Sequence, residues 1–246
     1  MNSIKQAIVE LESKLNIQLK SEQKRGIASL YRGEDALIIL PTGFGKSLIY
    51  SLAPKAFNIC SENSGSIILV ISPLISLMVD QVKRCLKYGI SAALIGSAQH
   101  DHHVARQVRD GECQVVFASP EAILSRSWRK VLISDVYQRN LIGIAIDEAH
   151  CVDLWGNDFR RDFMNLKELR SLVPPYVPMT ALTATATSRC RQAIINSLGL
   201  SPTLEIIEAT PNRPNIFYST IQSDDVMQSL RWLVEELQEK GRDCRK

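Results

Sequence analysis

Short apolar runs recur along this chain, each closed by turn-forming residues and followed by a stretch long enough for a helix. They are Ala36 to Leu40, Ile67 to Ile71, Ala92 to Ile95, Val115 to Ala118, Ile142 to Ile146, Met179 to Thr183 and Leu204 to Ile207. Several are apolar throughout, with no alternation of polar and apolar positions. Strands of that kind have both faces buried, as in a parallel sheet covered by crossover helices. The pattern predicts an α/β fold, a three-layer domain on a mostly parallel sheet of about seven strands with right-handed crossovers. In such a sheet the site lies beyond the carboxyl ends of the strands. Ahead of the first run, Ile4, Ile8, Leu11 and Leu15 recur at helical spacing and predict an amphipathic helix packed by those residues.

The alternation breaks at Thr210-Pro211-Asn212-Arg213-Pro214-Asn215, where two prolines intervene. One apolar run, Ile216 to Ile221, and one helix-like segment, Asp224 to Lys240, follow. The residues after the break are too few for a second core. The expected organisation is therefore a helical segment over 1–30, the main α/β domain over 31–210, and a linker with one helix over 211–246.

Composition narrows the partners only a little. The chain is 45% hydrophobic and 22% charged, ordinary for a globular protein with a real core. Its net charge of +3 is too small to argue for nucleic acid, so a local basic patch has to carry that case. The six cysteines form no Cys-x-x-Cys pair and read as reduced thiols. His100-Asp101-His102-His103 has no companion cluster at ligand spacing and reads as a solvated loop rather than a metal site. No apolar stretch approaches the ~20 residues of a membrane span. The expected location is the cytoplasm or, in a eukaryote, the nucleus.

The most specific chemistry lies in Pro41-Thr42-Gly43-Phe44-Gly45-Lys46-Ser47, between a predicted strand and a helical pattern beginning near Leu48. Gly43 and Gly45 let the loop turn tightly, so successive backbone N–H groups point at phosphate oxygens. The helix N-terminus adds its positive dipole end. In such a P-loop Lys46 reaches the β- and γ-phosphates of ATP and the Ser47 hydroxyl ligates Mg²⁺, with Thr42 in the same cradle. Leu40 stands where the strict pattern has its first glycine. Asp147-Glu148-Ala149-His150 closes the run Ile142 to Ile146. A carboxylate at the tip of an apolar strand is costly unless it has work. Asp147 is the candidate for holding Mg²⁺ through water, and Glu148 for orienting and deprotonating the attacking water.

In their order, these segments resemble the motifs of superfamily 2 helicases, and of the RecQ family in particular, from about Leu15 to Asn215. Leu19-Lys20-Ser21-Glu22-Gln23 is similar to the adenine-reading segment, which implies Gln23 on the base edge with Lys20 beside it. The run Ile71-Ser72-Pro73-Leu74-Ile75-Ser76 and its continuation to Val82 resembles a DNA-backbone motif, implying contacts at Ser72 and Pro73. Ala118-Ser119-Pro120-Glu121 resembles the next one and implies Ser119. Ala181 to Thr187 resembles the motif that couples the two activities, with Thr183, Thr185 and His150. Finally, His150 to Phe163 resembles the aromatic-rich loop that links DNA binding to hydrolysis. There Trp155, Phe159 and Phe163, four apart, interleave with Arg160 and Arg161. Exposed rings stack on unpaired bases and guanidinium groups hold phosphates, while the same spacing suits a helix burying all three rings. The motif order favours DNA for Trp155, Phe159 and Arg160 and leaves Phe163 open between DNA and core.

Several positions depart from the family pattern: Phe44 replaces a small residue, Lys20 an arginine, Asp153-Leu154 a Ser-Gln pair and Asn157 a histidine. The resemblance implies a RecA-like fold, ATP and Mg²⁺ as cofactors, and 3′→5′ helicase activity on single-stranded or forked DNA. It also implies a second RecA-like domain, of which only the linker and opening helix follow Arg213-Pro214-Asn215. The isolated chain is thus expected to bind MgATP and single-stranded DNA without unwinding. Two other readings are a stand-alone regulatory module and a P-loop ATPase remodelling RNA or protein. Exposure of Val226, Met227, Leu230, Leu233, Val234 and Leu237 would speak against the first, and burial of Trp155 and Phe159 would favour the second.

Overall fold

The computed structural model describes residues 3–61, 64–96, 101–154, 162–212, 216–217, 220 and 222–241. The apolar runs become β1 (Ala36–Ile39), β2 (Ile67–Ile71), β3 (Ala92–Ile95), β4 (Val115–Ala118), β5 (Leu141–Ile146), β6 (Met179–Thr183) and β7 (Glu205–Glu208). They form one sheet in the order β3-β4-β2-β5-β6-β1-β7, and every pairing is parallel. A parallel strand sends successive side chains to opposite faces, so an all-apolar strand feeds two cores at once. Ala36 and Ile38 enter one core, Leu37 and Ile39 the other.

The first core is closed by α1 (Ile4–Leu15), α2 (Ser21–Tyr31), α3 (Ser47–Cys60) and α4 (Ile75–Lys87). On the other face lie α5 (His102–Arg109), α6 (Pro120–Leu124), α7 (Arg126–Leu132), α8 (Asp135–Asn140), α9 (Cys151–Leu154), a 3₁₀ helix (Leu166–Ser171) and α10 (Ser188–Leu198). This is the three-layer arrangement of a RecA-like domain. The first helix forms as its spacing predicts, with Ile8 and Leu11 buried. A Ser3–Gln6 capping box starts it and Asn16, left-handed at φ 51°, ends it.

At the amino ends of the central strands, Asp35 is a buried fastener. Its carboxylate accepts the N–H of Met179 at 2.8 Å and of Ser201 at 2.8 Å, and pairs with Arg170. The start of β1 is thereby tied to the start of β6, to the loop before β7 and to the 3₁₀ helix, at the end of the sheet opposite the site.

Three expectations need correction. The last strand is Glu205–Glu208 rather than Leu204 to Ile207, because it is an edge strand paired only with β1 and buries Ile207 alone. Of the His100 to His103 segment, His100 lies outside the described residues and the rest is not a loop throughout: Asp101 accepts the His103 N–H and caps α5, which begins at His102. Among the described residues no group of three or more His, Cys, Asp and Glu could hold a metal ion. Asp224 to Lys240 is not one helix but α11 (Val226–Ser229), capped by Asp225, and α12 (Arg231–Lys240). The residues through Pro211 pack as one compact unit, and those from Asn212 onward form another. No helix among the described residues is long and apolar enough to cross a membrane.

Candidate functional site

The functional segments sit side by side because the sheet order places their strand tips side by side. Across the carboxyl edge lie Gly96 after β3, Ser119 after β4, Ser72 after β2, Asp147 after β5, Thr183 in β6 and Leu40 after β1. Backbone hydrogen bonds continue past the strands and lock these tips together. The Asp147 N–H donates to the Ile71 carbonyl at 2.8 Å, Ala149 to Leu182 at 2.9 Å, Leu40 to Thr183 at 3.1 Å and Ser72 to Ala118 at 3.0 Å.

The acidic pair is electrostatically split. Asp147 is only 6% exposed, and burial, followed by the adjacent Glu148 charge, pushes its carboxyl up to about 6. Its Oδ1 accepts the Glu148 N–H at 3.1 Å, and the Tyr50 hydroxyl donates to Oδ2 at 3.3 Å. Glu148 goes the other way: the hydrogen bond from His150, aided by the charges of His150 and Lys46, holds it below the usual carboxylate range despite partial burial. Neighbouring groups driven apart in this way are fitted to different roles. Glu148 also has a left-handed backbone, φ 50°, which is uncommon and costly for a non-glycine residue and is retained mainly where function needs it.

From Glu148 a continuous chain runs to β6. His150 Nδ1 lies 3.2 Å from Glu148 Oε2 and 3.1 Å from Thr183 Oγ1. The Thr183 hydroxyl donates to the Thr185 carbonyl at 3.0 Å. With its hydrogen spent there, the Thr183 oxygen is left to accept, which places a proton on His150 Nδ1. His150, Thr183 and Thr185 are thus brought together in one hydrogen-bonded chain. Tyr50, which bonds Asp147 and lies outside this hydrogen-bonded chain, is the residue of the site that sequence reasoning missed; its only signal is its position one helical turn after Lys46 in α3.

The P-loop depends on its glycines. Gly43 (φ 82°) and Gly45 (φ 91°) are both left-handed, and a Cβ on Gly45 would lie 2.6 Å from Gln23 Nε2. Gln23 is buried: its amide donates to the Phe44 carbonyl at 3.1 Å and the Gly45 carbonyl at 3.0 Å, while its oxygen accepts the Lys20 N–H at 2.8 Å. It therefore braces the loop rather than standing free for a base. Two departures from the family pattern meet here, with Lys20 Nζ 3.9 Å above the Phe44 ring centroid. Lys46 Nζ folds back onto the Leu40 carbonyl at 3.0 Å, and Ser47 opens α3 half-buried. Thr42 and Gly43 form the exposed tip.

These residues fit a triphosphate with Mg²⁺. A Cβ on Gly43 would touch nothing within 4 Å, so the loop tip faces open space. The same loop supplies an ammonium (Lys46) and a hydroxyl (Ser47), and the carboxylate of Asp147 lies within electrostatic reach of Lys46. Mg²⁺ characteristically takes one or two protein oxygens and completes its shell with phosphates and water.

On the β2–β4 side the predicted nucleic-acid contacts are less accessible. Ser72 is 2% and Ser119 5% exposed, and the Ser72 hydroxyl is buried without a partner. Pro73 is half-buried, whereas Leu74 and Ile75 at the start of α4 are open to solvent. Phe163 lies in the core, fully buried. Trp155, Phe159 and Arg160 lie outside the described residues.

A family model described as DEAD/DEAH box helicase matches residues 20–193, and the chain belongs to that family. Within it, the RecQ resemblance read from the motifs is borne out by the relatives. The ATP-dependent DNA helicase RecQ of Pasteurella multocida is 38% identical over 85% of this chain and 31% of its own length. The ATP-dependent helicase SGS1 of Saccharomyces cerevisiae is 36% identical over 81% of this chain and 14% of its own. RecQ of Haemophilus influenzae is 34% identical over 89% and 34%. The chain thus spans about a third or less of these relatives. Among solved structures, the DUF1998 helicase MrfA bound to DNA and AMPPNP superposes with a TM-score of 0.71 over 97% of this chain and 35% of that one. At 18% identity that likeness speaks for the fold alone.

Proposed function

We propose that this chain is the ATP-binding half of a RecQ-like 3′→5′ DNA helicase that binds MgATP and single-stranded or forked DNA. The observation that carries the reading is the relay Glu148–His150–Thr183–Thr185, fastened to the P-loop by the bond from Leu40 to Thr183. MgATP supplies the phosphoanhydride bond and the charge that the site neutralises. Lys46 exchanges the Leu40 carbonyl for phosphate oxygens, and Ser47 and Asp147 hold the metal. Glu148, kept ionised by His150, takes the proton from the attacking water. His150 carries the change at Glu148 to Thr183 and Thr185, and Gln23 with Lys20 receives the base once the loop releases them.

Strand separation requires two domains that grip alternately, and the compact α/β unit supplies one of them. The 246-residue chain by itself is expected to bind ATP weakly and not to unwind. Apolar side chains of α11 and α12 are open to solvent, Val226 at 68%, Met227 at 71% and Leu237 at 49%. Such exposure disfavours a stand-alone regulatory module.

The test compares ATP binding, hydrolysis and unwinding in this chain and in a version extended through a second RecA-like domain. Lys46→Ala is expected to remove ATP binding from both. In the extended protein, single-stranded DNA is expected to stimulate hydrolysis, and Glu148→Gln to slow it by about 10²-fold or more. Equal hydrolysis with and without DNA in the extended protein, or processive unwinding by the short chain, overturns the proposal.

A further inference from the structure

With a net charge of +3, the cationic side chains of this protein matter by where they gather. Arg109 at the end of α5 and Arg126 and Lys130 on α7 line one depression of about 830 Å³ with Ser127, Val131 and Ser134. All three cations are exposed, and among the described residues no carboxylate belongs to this lining. Their neighbours are matched instead, Arg106 by Asp110 and Arg129 by Glu168. A second depression, of about 330 Å³, shares Arg109 and leads to the strand tips, where Gly96, Ser119, Ser125 and Trp128 line it with one carboxylate, Glu121. The two meet at Arg109, so that this basic groove lies beside the β3–β4 edge of the site.

The chemistry of the lining selects its ligand. Guanidinium, ammonium and hydroxyl groups donate hydrogen bonds to oxygen acceptors, as in contacts to DNA phosphates. A track for unpaired bases needs exposed rings to stack on. Among the described residues, the one aromatic side chain lining the groove, Trp128, is half-buried and packs against the core. Paired bases stack on one another, so a duplex needs no such ring and can be held by its phosphates.

We propose that this groove holds the phosphate backbone of duplex DNA, the paired arm of a forked substrate, beside the strand tips that take the unpaired arm. The proposal rests on the DNA reading above and adds to it a second surface, separate from the P-loop and its relay.

The experiment measures binding of the full chain to a blunt duplex, a single strand and a fork, by fluorescence anisotropy across a salt series. A triple variant, Arg109→Ala with Arg126→Ala and Lys130→Ala, is compared with the parent chain, and ATP binding reports that it is folded. For the duplex and the fork, affinity is expected to fall, and the slope of log K against log salt to lose roughly 2 to 3, at about 0.9 per phosphate contact. Single-strand and ATP binding are expected to hold. Unchanged duplex binding overturns the proposal and leaves an acidic protein segment as the groove's occupant. A loss confined to the single strand, or equal on both DNAs, also overturns it, the first in favour of a strand track and the second in favour of diffuse attraction. Parent chain that binds single strand but not duplex defeats the groove alone; parent chain that binds neither defeats the DNA reading as well.

Discussion

Asp147 and Glu148 share a strand tip yet face opposite electrostatic conditions, and the difference comes from burial and partners that the motif does not encode. Asp147 carries a carboxyl raised from its ordinary 3.8 to about 6, a rise worth of order 3 kcal/mol. The folded chain then holds this proton more tightly than the unfolded chain. The resulting stability is full below the ordinary value and is lost as pH rises through about 6. In metal-free buffer, Asp147→Asn removes this loss. The variant is expected to gain about 1–3 kcal/mol over the parent chain between about pH 4.5 and 7.5, measured by urea denaturation in EDTA. A stability difference that stays flat across that range would defeat the assignment. Legibility at this scale was uneven. Lys46, Ser47, Asp147 and Glu148 stand out as residue types in a pattern, whereas Tyr50, the strained backbone of Glu148 and the Lys20–Phe44 contact exist only because distant segments meet.

Among the elements, α2 shows how packing positions a functional side chain. It carries Gln23 against the P-loop, and its Gly26 packs against both α3 and the sheet. A Cβ there would lie 2.8 Å from Ile49 Cγ2 and 3.1 Å from Ile38 Cδ1. Alanine in a helix gains about 1 kcal/mol over glycine, but overpacking a filled core costs about 1–3 kcal/mol. Ile49 is fully buried with no room to yield, so crowding wins. Gly26→Ala is expected to lower the melting temperature by about 2–4 °C and to weaken ATP binding by displacing α2 from α3, and with it Gln23 from its place beside the P-loop. Scanning fluorimetry and calorimetric titration check this; a raised melting temperature would contradict it. The strands buried on both faces were legible from their unbroken apolar runs. The bounds of the edge strand, one residue off, and the split of the C-terminal helix were not, because one-sided pairing and local caps leave no mark in an apolar run.

For the whole molecule, the question is what fastens the end of the sheet opposite the site, and Asp35 answers it. Replacing it with alanine strands the Arg170 charge and frees the Met179 and Ser201 N–H groups in a buried place. Losing one partner of such a network costs about 3–5 kcal/mol. Asp35→Ala is therefore expected to shift urea unfolding by that amount while the folded fraction keeps its ATP affinity, since no nucleotide residue is touched. A shift below about 1 kcal/mol would show the fastener to be dispensable. Asp35 sits directly before β1 in the sequence with nothing to mark it, because all of its partners come from more than 130 residues away.

By itself, the sequence determined the layered α/β architecture, the P-loop, the acidic pair and the family. Each is written locally, in apolar runs, in glycines at a turn and in charged residues where a buried strand ends. The tertiary structure alone decided which carboxylate is protonated more readily, that Gln23 braces the loop, that Phe163 is core, and that Arg109, Arg126 and Lys130 share one groove. Those outcomes follow from parallel crossovers bringing remote segments into contact, and desolvation and ion pairing act only once that contact is made.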